Sequence, residues 1–124
     1  MAEAPAVRRV LFLCYQNRRR SATAERVFCK RPDLDVRSAG IARDALVRVN
    51  ERMLDWADVV FVMEEQHRRE LEQMFPDHAA LARAITLDIP DDYPFLDPEL
   101  VKLLQARVPP HLARIRGEAH SADR

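Results

Sequence analysis

One short segment of the sequence combines a thiol, a guanidinium and a hydroxyl at a spacing that suits anion chemistry. Cys14 is followed by five residues and then by Arg20 and Ser21. A loop that closes onto a helix N-terminus directs its backbone N–H groups toward one centre, where a tetrahedral oxyanion can bind. The planar Arg20 fork can hold two oxygens of that anion, and the same positive field favours a thiolate. The segment therefore predicts a phosphate-binding loop with Cys14 as its nucleophile.

The alternative interpretation is that Cys14 is a buried residue at the end of a core strand, because free cysteines are commonly buried. The spacing alone is a weak signal, since 20 of the 124 residues are arginine or lysine. The context strengthens it: a strand-like apolar run precedes Cys14, a helical pattern follows, and Asn17 offers an amide that can stabilise the loop. Cys29 has no such setting, and we expect it to be structural or inert.

Carboxylates follow another apolar run, in the segment Pro90–Tyr93. Phosphoryl transfer to a thiolate needs an acid that protonates the leaving oxygen and a base that activates water. Asp91 and Asp92 could supply these groups if the two loops lie together. Aspartate beside proline is also a common turn former, which is the interpretation we would favour for this segment in isolation. Together with the Cys14 loop, the acid role is favoured.

Apolar runs typical of buried strands alternate with helical patterns along the chain. This alternation predicts an α/β fold. We expect a three-layer doubly wound fold with a four-stranded parallel sheet. Its ligand site lies beyond the carboxyl ends of the strands, so both loops should share one rim. Strands are predicted at 8–14, 34–38, 58–63 and 84–89. The first and third helices are predicted at 21–30 and 64–75. The second begins at an Asp44 cap and carries the apolar stripe Leu46, Val49, Met53 and Trp56, and the fourth runs from an Asp97 cap to about residue 107.

The length of 124 residues suits a single domain, which we place at residues 1–116. Pro109-Pro110 is expected to separate the last helix from a short turn and a flexible tail at 117–124. Apolar runs are too short to span a membrane, and residues 1–7 lack the apolar core of a signal peptide. We therefore expect a cytoplasmic protein with no membrane partner.

Charge is balanced overall and uneven along the chain. The 20 basic and 20 acidic residues argue against a nucleic-acid partner bound through bulk charge. Residues 14–31 carry six basic side chains and one acid, whereas residues 86–99 carry five acids and no base. Arg18 and Arg19 thus add positive charge beside the predicted site. They are either solvated surface residues or the basis of a preference for a more anionic substrate.

The run VLFLCYQNRRRSATAE, from Val10 to Glu25, resembles the phosphate loop of the low-molecular-weight protein tyrosine phosphatases. The resemblance extends to RSAG at 37–40, DVVFVME at 58–64 and PDDY at 90–93. It implies that Cys14 is the nucleophile, Arg20 the phosphate-binding arginine and Asp91 the general acid and base. It also implies that no metal or organic cofactor is needed.

The resemblance assigns supporting roles as well. Ser21 would hydrogen-bond the thiolate, Asn17 and Ser38 would support the loop, and Tyr93 would form a wall of the substrate pocket. The residues expected to bind substrate or phosphate are Tyr15, Gln16, Asn17, Arg18, Arg19, Ser21 and Tyr93.

The chain also departs from that family. The stretch between Gly40 and Asp58 is much shorter, so a pocket-lining loop is truncated. Gln16 replaces a usual glycine, and Asp92 replaces the proline of an Asp-Pro-Tyr motif. Arg19 stands where many members have a second loop cysteine, so a protective disulfide with Cys14 is not available there.

These observations predict a phosphomonoester hydrolase of the protein tyrosine phosphatase type, which acts on a phosphorylated protein or a small aryl phosphate through a phosphocysteine. A non-catalytic phosphate- or phosphoprotein-binding module is one alternative, which Gln16 keeps open. An arsenate reductase is another, although it would need further cysteines and only Cys29 is available. The four histidines share no ligand spacing, so no metal is expected, and His67 should be an ordinary half-buried residue. The oligomeric state stays open.

Overall fold

Four parallel strands form the central sheet, in the spatial order β2-β1-β3-β4. The computed structural model describes the backbone of residues 8–122 and the side chains of residues 8–115. The strands are β1 (Arg8–Cys14), β2 (Leu34–Gly40), β3 (Val59–Val62) and β4 (Ala84–Thr86). All three pairings are parallel, and the register places Cys14 beside Gly40 at the ends of β1 and β2. The predicted four-stranded parallel sheet is therefore confirmed.

Helices cover both faces of the sheet. They are α1 (Arg20–Phe28), α2 (Glu51–Trp56), α3 (Glu65–Met74) and α4 (Pro98–Ala122), with a 3₁₀ helix at Ala79–Arg83 that the sequence pattern did not predict. Phe12 packs in one core cluster with residues of α1 and α4, and Leu13 packs in another with residues of α2 and α3. Alternate side chains of β1 thus enter opposite layers, which gives the three-layer doubly wound fold that was expected.

The predicted helix that Asp44 would cap is wrong over its first half. The helix begins only at Glu51, and the Asn50 side chain caps it by accepting from the Met53 N–H at 2.9 Å. Residues 41–49 are irregular because their backbone groups bond to other segments: Leu46 N–H donates to Gln16 O at 3.0 Å. Leu46, placed on the predicted apolar stripe, is 64% exposed. Tertiary hydrogen bonds thus prevail over the local helical pattern.

The predicted break at Pro109-Pro110 is also wrong, because α4 continues through both prolines to Ala122. Leu100, Leu104, Val108 and Leu112 recur every four residues and are all buried. A proline inside a helix costs about 3 kcal/mol, and burying each large apolar side chain contributes about 1.5–3 kcal/mol. The apolar stripe that crosses the prolines therefore offsets their cost.

The ends of the predicted domain are only partly described. Residues 117–122 of the predicted flexible tail have helical backbone, whereas residues 1–7 and 123–124 lie outside the described part. The domain bounds 1–116 stay a prediction. Within residues 8–122, no helix combines the length and apolar character that crossing a bilayer requires.

The strand that leads to the acidic segment is shorter than predicted. β4 ends at Thr86, although Leu87 and Ile89 N–H groups still donate to Val62 O and Met63 O at 2.9 Å each. These bonds extend the alignment beside β3 as far as Ile89. The segment therefore delivers Asp91 to the same rim as the carboxyl end of β1.

Candidate active site

Cys14 lies at the floor of a cavity at the carboxyl edge of the sheet. Its side chain belongs to the last residue of β1, and α1 begins at Arg20. Cys14 is 3% exposed, yet it lines a cavity of about 240 Å³. The other lining residues are Tyr15, Gln16, Arg18, Arg19, Arg20 and Asp91.

Two groups contact the Cys14 sulfur at hydrogen-bond distance. The backbone N–H of Asn17 donates to Sγ at 3.2 Å, and the Ser21 hydroxyl lies 3.0 Å from it. Hydrogen bonds to a charged group are stronger than those to a neutral one. Both contacts lie where they can stabilise negative charge on the sulfur, the atom that would act as the nucleophile.

Asn17 fixes the loop from within. Its φ of 60° lies in the left-handed region, which asparagine tolerates better than most residues. Its side-chain amide donates to the hydroxyl oxygens of Ser21 at 2.8 Å and Ser38 at 2.9 Å. The Ser38 hydroxyl in turn donates to the carboxylate of Glu25. The structure thus brings together Asn17 and Ser38, which the resemblance named as loop support, and Ser21, which it named as the partner of the thiolate.

Gly40 allows the end of β2 to approach the loop closely. A Cβ at this position would lie 2.7 Å from Tyr15 O and 2.9 Å from Asn17 N. Separations under about 3 Å force something to move, and both of these atoms belong to backbone. Glycine is therefore required here by close packing.

The Arg20 guanidinium is anchored at one nitrogen. Arg20 is buried, and its Nη1 donates to Glu64 Oε2 at 2.5 Å and to Ile89 O at 2.7 Å. Its Nε is buried with no hydrogen-bond partner among the described residues. The nearest carboxylate contact of Nε is Asp91 Oδ1 at 3.7 Å. An oxyanion in the cavity could supply the missing acceptor.

Glu64 and His67 belong to this site, and sequence reasoning missed both. Glu64 follows β3, and its backbone N–H donates to His67 Nδ1 at 3.2 Å. The expectation of a half-buried His67 is wrong, because the residue is 3% exposed. Burial and then the positive charge of Arg20 lower the pKa of His67 to about 4, so the ring is uncharged at neutral pH. Glu64 follows the carboxyl end of β3, and the rule that ligand sites lie beyond the carboxyl ends of parallel strands could have identified it.

The acidic segment contributes one of its two aspartates to the cavity. The Asp91 side chain is 55% exposed and lies among the lining residues, whereas Asp92 is exposed and lies outside them. Tyr93 is partly buried against the core cluster of α1 and α4. Because Tyr93 is not among the lining residues, its role as a pocket wall stays a prediction.

The remaining loop side chains surround the mouth. Gln16 Nε2 donates to Asp44 Oδ2, and Arg18 Nη2 donates to Asp44 O, each at 3.4 Å. The Gln16 amide therefore contacts the segment 41–49. Arg19 is exposed and lines the cavity.

Cys29 lies at the far end of α1. It is exposed, at the C-cap of a nine-residue helix that begins beside the cavity. Such a helix is about 13 Å long, well beyond the Cα separation of a disulfide, which is under about 7 Å. Within the described part of the chain, no group of three His, Cys, Asp or Glu side chains could hold a metal ion.

Fold and site together define an α/β protein in which a thiol at the end of the first strand of a parallel sheet shares a cavity with a buried guanidinium. Solved structures share this architecture over most of the chain. The chain has the fold of the low-molecular-weight protein tyrosine phosphatases.

Three similar structures illustrate the likeness. The YwlE arginine phosphatase from Geobacillus stearothermophilus has a TM-score of 0.69 and 22% identity, over 90% of this chain and 96% of that one. A low-molecular-weight protein tyrosine phosphatase from T. tengcongensis has a TM-score of 0.65 and 24% identity, over 79% and 95%. SP-PTP from Streptococcus pyogenes, of the same type, has a TM-score of 0.72 and 16% identity, over 87% and 93%. No protein-family model and no curated protein matches the sequence.

Proposed function

We propose that the protein is a phosphomonoester hydrolase of the protein tyrosine phosphatase type, which acts through a phosphocysteine intermediate. The observation that carries this proposal is the pairing of Cys14 Sγ with the unpartnered Arg20 Nε in one cavity. A thiolate and a guanidinium donor around a single space suit nucleophilic attack on a bound phosphate. The fold shared with known phosphatases supports the same reaction class.

In the first step, the Cys14 sulfur attacks phosphorus. The S–P bond forms while the bond from phosphorus to the leaving oxygen breaks, and Asp91 donates a proton to that oxygen. Arg20 Nε and the backbone N–H groups of the loop stabilise the equatorial phosphoryl oxygens, where charge is concentrated. Asp91 is suited to this role because its exposed carboxyl group lies at the cavity opening, 3.7 Å from Arg20 Nε.

In the second step, water releases the phosphate. The Asp91 carboxylate accepts a proton from a water molecule, whose oxygen attacks the phosphocysteine. The S–P bond breaks, inorganic phosphate leaves, and the thiolate is restored. Asn17 N–H and the Ser21 hydroxyl, 3.2 and 3.0 Å from the sulfur, stabilise that leaving thiolate.

The substrate in this proposal is a phosphorylated protein or a small aryl phosphate. Similar structures include protein tyrosine phosphatases and an arginine phosphatase, which supports phosphorylated protein as the substrate kind. We place the protein in a reducing cytoplasm, where Cys14 persists as a free thiol. Neither a nucleic acid nor a membrane is part of the proposal.

The alternatives have less support. Gln16 is the residue that keeps a non-catalytic binding module open. Its side-chain amide donates to Asp44 at 3.4 Å, and the cavity around Cys14 is still present beside Gln16. Arsenate reduction would need a second thiol near Cys14. Cys29, the one other cysteine of the sequence, lies at the opposite end of α1.

Hydrolysis of p-nitrophenyl phosphate against pH tests the proposal. We expect a bell-shaped profile for the wild type, no turnover for Cys14→Ser, and rates about 10²–10⁴-fold lower for Asp91→Asn, since that variant loses the acid and base. Asp92→Asn is the matched control and should keep wild-type rates, because Asp92 lies outside the cavity.

Three results would contradict this mechanism. Full activity of Cys14→Ser would exclude the phosphocysteine. Wild-type rates equal to a buffer blank, with phosphate bound in calorimetry, would indicate a binding module instead. Thiol-dependent production of arsenite from arsenate would indicate a reductase.

A further inference from the structure

A second cavity adjoins the candidate active site, and Tyr15 lines both. This second cavity, of about 280 Å³, lies between the irregular segment 41–48 and α3. Tyr15 is 46% exposed, so its ring is available at the surface that the two cavities share. The side chains that bear charge in the second cavity are Arg43, Arg48 and Glu70.

The surface around both cavities carries guanidinium groups that no carboxylate neutralises. Arg18, Arg19, Arg43 and Arg48 are exposed, and within the described part of the chain none of them has a carboxylate oxygen within 4 Å. Asp44, which follows Arg43 in the sequence, receives the Gln16 amide on its carboxylate and offers only its backbone carbonyl to Arg18. The surface is therefore positively charged and open to an anionic group.

Glu70 contributes to the second cavity a carboxylate oxygen that accepts no hydrogen bond from the described residues. Its Oε2 is buried and has no hydrogen-bond partner among the described residues. A buried acceptor without a donor is unfavourable until one arrives. A polypeptide could supply that donor from its backbone N–H while its acidic side chain pairs with the arginines.

We infer that the second cavity is a subsite for an acidic side chain of a phosphorylated polypeptide, bound while the phosphorylated residue occupies the first cavity. This inference rests on the proposed function. Arg43 and Arg48 would bind the Asp or Glu side chain, and Glu70 Oε2 would accept from the peptide backbone. Because Tyr15 lines both cavities, the acidic residue lies close in sequence to the phosphorylated one.

The test compares three substrates: p-nitrophenyl phosphate, a phosphotyrosine peptide flanked by glutamates, and the same peptide with glutamines. A small aryl phosphate fills only the first cavity and does not report on the second. For the wild type at low salt we expect kcat/KM to be about 3- to 10-fold higher for the glutamate peptide, the size typical of two exposed ion pairs. The advantage should fall as NaCl is raised, because salt screens exposed charges.

Arg43→Gln/Arg48→Gln should abolish the advantage and leave turnover of p-nitrophenyl phosphate unchanged. The matched control is Arg26→Gln/Lys30→Gln, which removes the same charge at the far end of α1 and should keep the advantage. An equal kcat/KM for both peptides in the wild type would overturn the inference. So would an advantage that persists without Arg43 and Arg48.

A binding measurement separates this inference from the proposed function. Fluorescence anisotropy with Cys14→Ser gives the Kd of both labelled phosphopeptides without turnover. Tighter binding of the glutamate peptide, lost when Arg43 and Arg48 are also replaced, supports the subsite even if the wild type hydrolyses nothing. Equal Kd values overturn the subsite even if p-nitrophenyl phosphate is hydrolysed.

Discussion

Arg20 is hydrogen-bonded at Nη1 and has no hydrogen-bond partner at Nε among the described residues, and one of the Nη1 contacts comes from Glu64, which follows another strand. Glu64 Oε2 accepts from Arg20 Nη1 at 2.5 Å, and Ile89 O accepts from the same nitrogen at 2.7 Å. These contacts fix the plane of the guanidinium beside the cavity that Arg20 lines. Preorganised donors stabilise a developing charge most effectively. Glu64 is therefore a positioning residue in the proposed mechanism.

Replacing Glu64 by Ala should lower kcat/KM for p-nitrophenyl phosphate by about 10- to 100-fold. Hydrogen bonds to charged groups contribute about 1.5–3 kcal/mol, and each 1.36 kcal/mol is about tenfold in rate. Inhibition by inorganic phosphate should weaken in parallel, since the same guanidinium binds it. Steady-state kinetics with phosphate as inhibitor measures both effects.

Glu65→Ala is the control for that prediction. Glu65 is the next residue, is exposed, and contacts Thr86 rather than Arg20. Its removal should leave both quantities near wild type. Equal effects of the two substitutions would show that the Glu64 contact does not position Arg20.

The loop between β1 and α1, residues 15–19, is held in place by the end of β2 and the segment that follows it. Ala42 N–H donates to Tyr15 O at 2.8 Å, and Leu46 N–H donates to Gln16 O at 3.0 Å. Gly40 lies beside the same loop, where a Cβ would meet backbone atoms. The shape of the loop is thus set by contacts with a segment more than 20 residues away in sequence.

Gly40→Ala should impair the loop more than the fold. The added methyl would push against Tyr15 O and Asn17 N, and overpacking of this kind typically costs about 1–3 kcal/mol. We expect a fall of more than tenfold in kcat/KM for p-nitrophenyl phosphate in a variant that still unfolds cooperatively in a thermal melt.

A double variant identifies which contact is responsible. The same Cβ would also lie 2.7 Å from Ala45 Cβ, so Gly40→Ala/Ala45→Gly removes the side-chain clash and leaves the backbone clash. Activity should stay low in the double variant. Its full recovery would mean that the loop backbone is not held by Gly40.

The same elements explain which features the sequence could predict. β1 and β3 are continuous apolar runs, and their burial depends little on the rest of the chain, so their positions were predicted closely. The start of α2 differs from its predicted position because residues 41–49 hydrogen-bond to a loop that is distant in sequence. The path of α4 differs from the prediction because burial of the apolar stripe Leu100, Leu104, Val108 and Leu112 outweighs the local effect of the two prolines.

The residues of the candidate site also differ in how well the sequence predicts them. Cys14, Arg20 and Ser21 lie within eight residues, so their spacing, together with the strand pattern before them and the helical pattern after them, predicts a common centre. Glu64 and His67 come from another part of the chain. Their approach to Arg20 depends on β3 lying beside β1, which the order of elements along the chain does not specify.

At the scale of the whole molecule, a buried neutral histidine makes stability depend on pH. His67 is 3% exposed, and its pKa is about 4 in the folded protein, below the value near 6.5 of an unfolded chain. The unfolded state therefore binds a proton that the folded state excludes between these two values. The free energy of unfolding consequently falls as the pH is lowered through this window, and it is restored as the pH rises above about 6.5.

Lowering the pH from 7 to 5 should reduce the free energy of unfolding by about 2 kcal/mol through His67. Most carboxylates are still ionised at pH 5, and His111, whose pKa is also lowered by burial and by Arg114, adds a loss in the same direction. Urea unfolding of the wild type and of His67→Gln at both pH values measures it. The variant should have lower stability at pH 7, because a buried partner of Glu64 is lost, and a weaker dependence on pH. Parallel losses of stability in the two proteins would show that His67 is not the group that titrates.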